Sequence, residues 1–136
     1  MTPDSPLPQN PFAELLTDLY YPSESDEPVA YVDYPITFDP PLSVSQLKNF
    51  LLITPEVFTE EIPESQFWEP VVTEQDWYGE EEKTRTNRFR ELQQRVTQFL
   101  TDRQAFRVGQ TEVDLYLLGR KADGHWAGLK TKVVET

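Results

Sequence analysis

No cysteine occurs among the 136 residues, which excludes a disulfide framework and any thiolate metal site. The single histidine, His125, cannot assemble a zinc site alone. Apolar runs are only a few residues long, far short of a bilayer span. The N-terminal MTPDSPLPQNP lacks the basic start and apolar centre of a secretory signal. These absences lead us to expect a soluble, cytoplasmic protein with no membrane partner. Positive charge is scarce and unevenly placed. Residues 1–82 hold one basic residue, Lys48, against 18 Asp and Glu, a net of −17. Residues 83–136 hold 11 Lys and Arg against 6 Asp and Glu, a net of +5, which brings the chain to −12. Phosphate binding needs a basic footprint, so nucleic acid is not an expected direct ligand. The acids can be an ordinary solvated surface, or a negative face that steers a basic partner and weakens with salt.

Chemistry-bearing motifs are missing too. There is no Gly-rich phosphate loop and no GxSxG elbow. A Ser–His–Asp triad would have to use His125, which sits beside a hairpin turn and next to Trp126, where a surface role is the simpler reading. Paired carboxylates are too plentiful for any one pair to be informative. The acids in SESDEP at 23–28 lack the regular alternation and glycine of a calcium loop. We therefore expect no catalysis, no cofactor and no metal of the protein's own.

What is present is enough for one domain spanning 1–136, with 1–9 flexible. Seventeen aromatics (8 Phe, 6 Tyr, 3 Trp) speak against wholesale disorder. Asn10-Pro11 reads as a helix start, and Phe12, Leu15, Leu16 and Leu19 fall at helical spacing, predicting a short helix over about 11–20 that Pro22 ends. VAYVDYPITF at 29–38 reads as a strand that Pro35 moves to an edge or breaks. Ser43 and Gln46 form a capping-box signature before LKNFLL. The stretch 54–72, with three prolines, reads as an irregular connection containing one strand at most.

Thr73 and Asp76 suggest a second capping box before the strongest helix, about 79–101. There Phe89, Leu92, Val96, Phe99 and Leu100 make one apolar stripe. Glu80, Glu81 and Glu82 favour its positive dipole end. Glu81–Arg85 and Glu91–Arg95 have the i,i+4 spacing of ion pairs that contribute about 0.2–0.5 kcal/mol each. Strands follow at 105–109 and 112–120, a hairpin at 122–124, and a last strand to the end with Lys130 and Lys132 on its wet face. The fold expected is α+β, an α/β/α sandwich with a mostly antiparallel sheet and a C-terminal meander flanked by helices.

Within TEQDWYGEEE at 73–82, Asp76 stands next to Trp77. An isolated Trp is more often a core residue, yet Trp is also enriched at interface hot spots, and the surrounding Glu74, Asp76 and Glu80 favour exposure. Glu24 alone is one solvated loop acid, and Thr136 alone is a chain end of the kind that frays. The strand-like Val133-Val134 before Thr136 would hold its α-carboxylate still.

Several stretches resemble the nuclease A inhibitor family of cyanobacteria: QDWY with the acids after it at 75–82, the long helix, VGQTEVDLYLLG at 108–119, and AGLKTKVVET at 127–136. The resemblance runs from about Glu61 to Thr136. SES at 23–25 falls where the family carries an acidic loop, whereas the Pro-rich 1–10 and residues 29–70, with six prolines, match it poorly. The resemblance implies a sandwich like that of plant pathogenesis-related proteins. It also implies a monomer that forms a 1:1 complex with a basic, magnesium-dependent, sugar-non-specific nuclease and inhibits it by occluding the active site. The implied partner-binding residues are Glu24, Asp76, Trp77 and Thr136, with Glu24 and Thr136 reaching the partner's magnesium region and Asp76 and Trp77 anchoring beside it. The alternative is a non-inhibitory acidic module on the same fold with a different basic partner.

Overall fold

The computed structural model of the chain describes residues 11–23 and 26–134. The expected cap Asn10 and the segment 1–9 fall outside that range. In chain order the elements are α1 (Ala13–Leu16), β1 (Tyr20–Tyr21), β2 (Glu27–Pro28), β3 (Ala30–Tyr34), α2 (Val44–Leu51), β4 (Thr59–Ile62), α3 (Glu64–Val72), α4 (Glu80–Phe99), β5 (Thr101–Val108), β6 (Glu112–Arg120) and β7 (Trp126–Val134). β1 and β2 form a small antiparallel pair, and the main sheet is antiparallel in the order β3-β7-β6-β5-β4.

Side chains along a strand alternate between faces, and here each face is covered. Ala105, Val113, Leu115, Leu117, Ala127, Leu129 and Val133 point to one side, packed with Phe67, Trp68 and Val71 of α3 and Phe89, Leu92 and Val96 of α4. Phe106, Val108, Tyr116, Leu118 and Trp126 point to the other, packed with Leu42 and with Leu47 of α2. The expected α/β/α layering is therefore present, with Lys130 and Lys132 on the less covered half of the α2 face. Among the described residues no helix is long and apolar enough to cross a membrane.

β6 occupies the expected residues, and the Ser43–Gln46 capping box forms in both directions, at 3.0 Å each. β3 is an edge strand that stops before Pro35, as a residue without an N–H requires.

Four local expectations are corrected. The first helix is four residues long rather than ten: Asp18 has φ 54°, and Arg88 donates to the carbonyls of Leu15, Thr17 and Asp18, leaving fewer acceptors to extend the helix. Phe12 and Leu19 are buried all the same. The stretch 54–72 holds one strand, β4, as allowed for, but its second half is the nine-residue α3 rather than irregular chain. Pro70 lies inside that helix at the cost of a hydrogen bond and a clash with the preceding turn. Burial of Phe67, Trp68 and Val71 offsets this cost.

Thr73 and Asp76 do not cap α4. The helix begins six residues later than Thr73 would place it, with Gly79 at the N-cap and the Gly79 N–H donating to Glu82 Oε1 at 2.9 Å. Finally, β5 starts at Thr101 with a single residue, Leu100, after the helix, and an irregularity between Thr101 and Gln104 where Asp102 has φ 53°. That direct passage sets the direction of α4. Its C-terminus sits where β5 begins. Its N-terminus, about 30 Å away at 1.5 Å per residue, points toward the end where β5 and β7 finish and β6 begins.

Candidate functional site

At that end the chain brings together segments far apart in sequence. The Val134 N–H donates to Ser23 Oγ at 3.2 Å. Thr131 Oγ1 is within reach of the carbonyls of Pro28 (3.1 Å) and Glu27 (3.4 Å). The last strand therefore contacts Ser23, Glu27 and Pro28. Glu24 and Thr136 lie outside the described residues. Their chain neighbours meet: Ser23 precedes Glu24, and Val134 stands two residues before Thr136.

Three residues past Ser23, Asp26 lines a cleft of about 420 Å³ whose opposite wall is the first turns of α4, with Glu80, Glu81 and Arg85. Arg88 in the same cleft is already engaged by three backbone carbonyls. Among the described residues Asp18, Asp26, Glu80 and Glu81 take part in no ion pair. Their charge is balanced in part by the N-terminal dipole of α4. A second cleft, of about 410 Å³, opens near the Ser23–Val134 bond between Tyr21, Ile62, Gln66, Arg107 and Leu115. Burial pushes the Tyr21 phenol up from its ordinary range, so it stays a hydrogen-bond donor, to the Phe67 carbonyl at 2.7 Å.

Trp77 belongs to the loop between α3 and α4, three residues before Glu80. It is 73% exposed, the other two indoles 2% (Trp68) and 0% (Trp126). Asp76, Glu74 and Glu80 are exposed around it. The exposure that the neighbouring acids led us to expect is thus observed: Trp77 is displayed among carboxylates and is not a core residue. The ring is not adrift. It meets Tyr78 edge to face, centroids 4.7 Å apart and planes at 89°. The Tyr78 N–H closes a turn onto the Gln75 carbonyl at 3.1 Å.

Sequence reasoning missed Ser23, Tyr78 and Arg85. No local signal marks Ser23, whose partner is 111 residues away. Arg85 was expected to pair with Glu81. No such ion pair forms, and its guanidinium lies 6.0 Å from the Tyr78 ring centre instead. The Glu91–Arg95 pair does form, at 3.8 Å with both side chains more than half exposed, where its contribution is small. Among the described residues no three His, Asp or Glu side chains are grouped as a metal site would require. His125 sits in the β6–β7 hairpin, its imidazole 3.7 Å from Asp123, near the opposite end of the sheet.

No curated protein matches the chain. The family described as nuclease A inhibitor-like protein matches residues 9–136, so the likeness extends well beyond the 61–136 legible by inspection and includes the Pro-rich 29–70. On that match over nearly its whole length, the chain belongs to the nuclease A inhibitor-like protein family.

Proposed function

We propose that this protein inhibits a magnesium-dependent, sugar-non-specific endonuclease by binding over its active site as a 1:1 complex. The observation that carries the proposal is the 73% exposure of Trp77 in a chain whose family is described by nuclease inhibition. A displayed indole costs hydration that a core position would recover, and indoles are enriched where interfaces concentrate their energy. Trp77 and Asp76 form the anchor. Glu24 and the Thr136 carboxylate are the groups that approach the partner's metal.

The chemistry is that of substrate charge without substrate bonds. A nuclease site presents a basic cleft and a hard cation that takes oxygen ligands. Carboxylates satisfy both, and they carry no phosphodiester to cleave. The hydrogen bond from the Val134 N–H to Ser23 Oγ supports this reading, because it ties the residue before Glu24 to the strand that leads to Thr136. The charge of the first 82 residues, net −17, speeds encounter with a basic surface and loses that effect as salt rises. In this reading the protein performs no turnover and makes no contact of its own with nucleic acid.

Titrating a magnesium-dependent, sugar-non-specific endonuclease with the protein tests the proposal. Activity is expected to fall linearly to an end point at one inhibitor per enzyme, with an association rate that drops as ionic strength is raised. Full activity in the presence of a large molar excess would overturn it.

A further inference from the structure

We infer that Tyr78 is a positioning residue that holds the Trp77 ring in its binding orientation before any partner arrives, and that Arg85 holds Tyr78 in turn. The inference rests on the inhibitory reading for its consequence at the interface, but its structural half concerns the free protein alone.

An exposed tryptophan at a loop tip can rotate about two side-chain bonds, and freezing such a side chain on binding weakens the complex. Here the loop removes that freedom in advance. The only ring contact of Trp77 among the described residues is the one with Tyr78, at 4.7 Å and 89°, within the edge-to-face geometry that aromatic pairs favour. Tyr78 is half-buried, and its backbone is fixed twice. Its own N–H bonds to Gln75, and the next residue, Gly79, is the N-cap of α4, with its N–H held by Glu82.

Arg85 also lies over the Tyr78 ring, 6.0 Å from its centre, at the outer limit for a cation–π contact. The position of that arginine is informative. Helical spacing offers it Glu81, yet no ion pair with Glu81 forms, and the contact of its guanidinium is with Tyr78. Trp77, Tyr78 and Arg85 thus form a chain of contacts running from the displayed indole back to the second turn of the longest helix.

The test has two arms on the full chain. In the free protein, the heteronuclear NOE of the Trp77 indole N–H reports the motion of that ring separately from Trp68 and Trp126. We expect a value close to that of the backbone in the native protein and in Tyr78→Phe, which keeps the ring, and a clear drop in Tyr78→Ala. In the second arm, affinity for a magnesium-dependent, sugar-non-specific endonuclease is measured for Tyr78→Ala, Trp77→Ala and the double variant. Tyr78→Ala alone is expected to weaken binding by about three- to tenfold, the scale of one immobilised side chain, and to have almost no effect once Trp77 is already alanine. An unchanged NOE in Tyr78→Ala overturns the inference, as does an equal loss of affinity in the two backgrounds. A nuclease that binds none of the proteins contradicts the inhibitory reading and leaves the NOE arm to decide the positioning role.

Discussion

Trp77 and Trp126 are the same residue in opposite circumstances, and the contrast separates what holds this protein together from what it displays. Trp126 is fully buried, in the cluster with Phe106, Leu118 and Leu47, and its indole N–H donates to the Phe38 carbonyl at 2.8 Å. Trp68 on the other face repeats the pattern, its N–H donating to Glu64 at 3.0 Å, and Glu64 in turn is held by Arg103. A buried indole needs both packing and a partner for its one donor. Trp77 has neither a surrounding cluster nor, among the described residues, a partner for its N–H. A residue with no part in the core should be nearly silent in stability, so its effects should be found at an interface.

The two ends of the sheet differ in the same sense. At the β6–β7 hairpin, charges are matched: Lys121 Nζ is 2.6 Å from Asp33 and 3.6 Å from Asp123. At the Trp77 end, Lys132 lies 3.6 Å from Glu112, but Asp76, Glu80 and Glu81 take part in no ion pair among the described residues. Matched charges fasten a fold, and unmatched ones are available to a partner of opposite sign.

The comparison can be broken at either tryptophan. The largest stability effect is expected for Trp126→Ala, a loss of about 3–5 kcal/mol in denaturant unfolding; a loss under about 1 kcal/mol would mean that this indole is not the core element it is taken for. Next, extending the chain beyond Thr136 with a short neutral tag should weaken nuclease inhibition at least tenfold, about 1.4 kcal/mol, while leaving the unfolding curve in place. A tagged protein of undiminished potency would remove the terminal carboxylate from the site.

The smallest effect belongs to the matched end. The hydrogen bond that Lys121 Nζ donates to Asp33, with lesser help from the charges of Asp33 and Asp123, holds the Lys121 ammonium above lysine's ordinary 10.5. A raised pKa in the folded state means stability that is fully present below the unfolded value and is lost as pH rises through the folded one. Asp33→Asn should therefore lower stability at pH 8 by no more than about 1 kcal/mol, and the difference from the native protein should shrink above pH 10.5. A difference that stays constant across that range would show that the ion pair is not its source.

The features legible in the sequence share one property: their causes are local. Ser43 and Gln46 are three residues apart and cap α2 as such a pair does. The strand-forming residues of β6 and the stripe of Phe89, Leu92 and Val96 need only the chain's own local sequence. The misread features were decided by contacts from elsewhere. α3 survives Pro70 because the sheet buries Phe67, Trp68 and Val71. α1 stops early because Arg88, more than 70 residues away, takes its carbonyls. Thr73 and Asp76 have the spacing of a cap, but Gly79 and Glu82 supply one nearer the apolar stripe.

The candidate site divides the same way. Asp76-Trp77 stands out in one dimension. The meeting of the 23–28 loop with the end of β7 does not, because the Ser23–Val134 bond spans 111 residues. The turn of Arg85 away from Glu81 toward Tyr78 is invisible to a rule that counts helical spacing.

The most direct test of the central claim is to measure one variant, Trp77→Ala, both for its unfolding free energy and for its affinity toward a magnesium-dependent, sugar-non-specific endonuclease. The account predicts stability within about 0.5 kcal/mol of the native protein, as for an exposed residue, together with binding weaker by about 2–4 kcal/mol, the loss of an interface anchor. Unchanged affinity, or a loss of stability that accounts for the whole loss of binding, would contradict it.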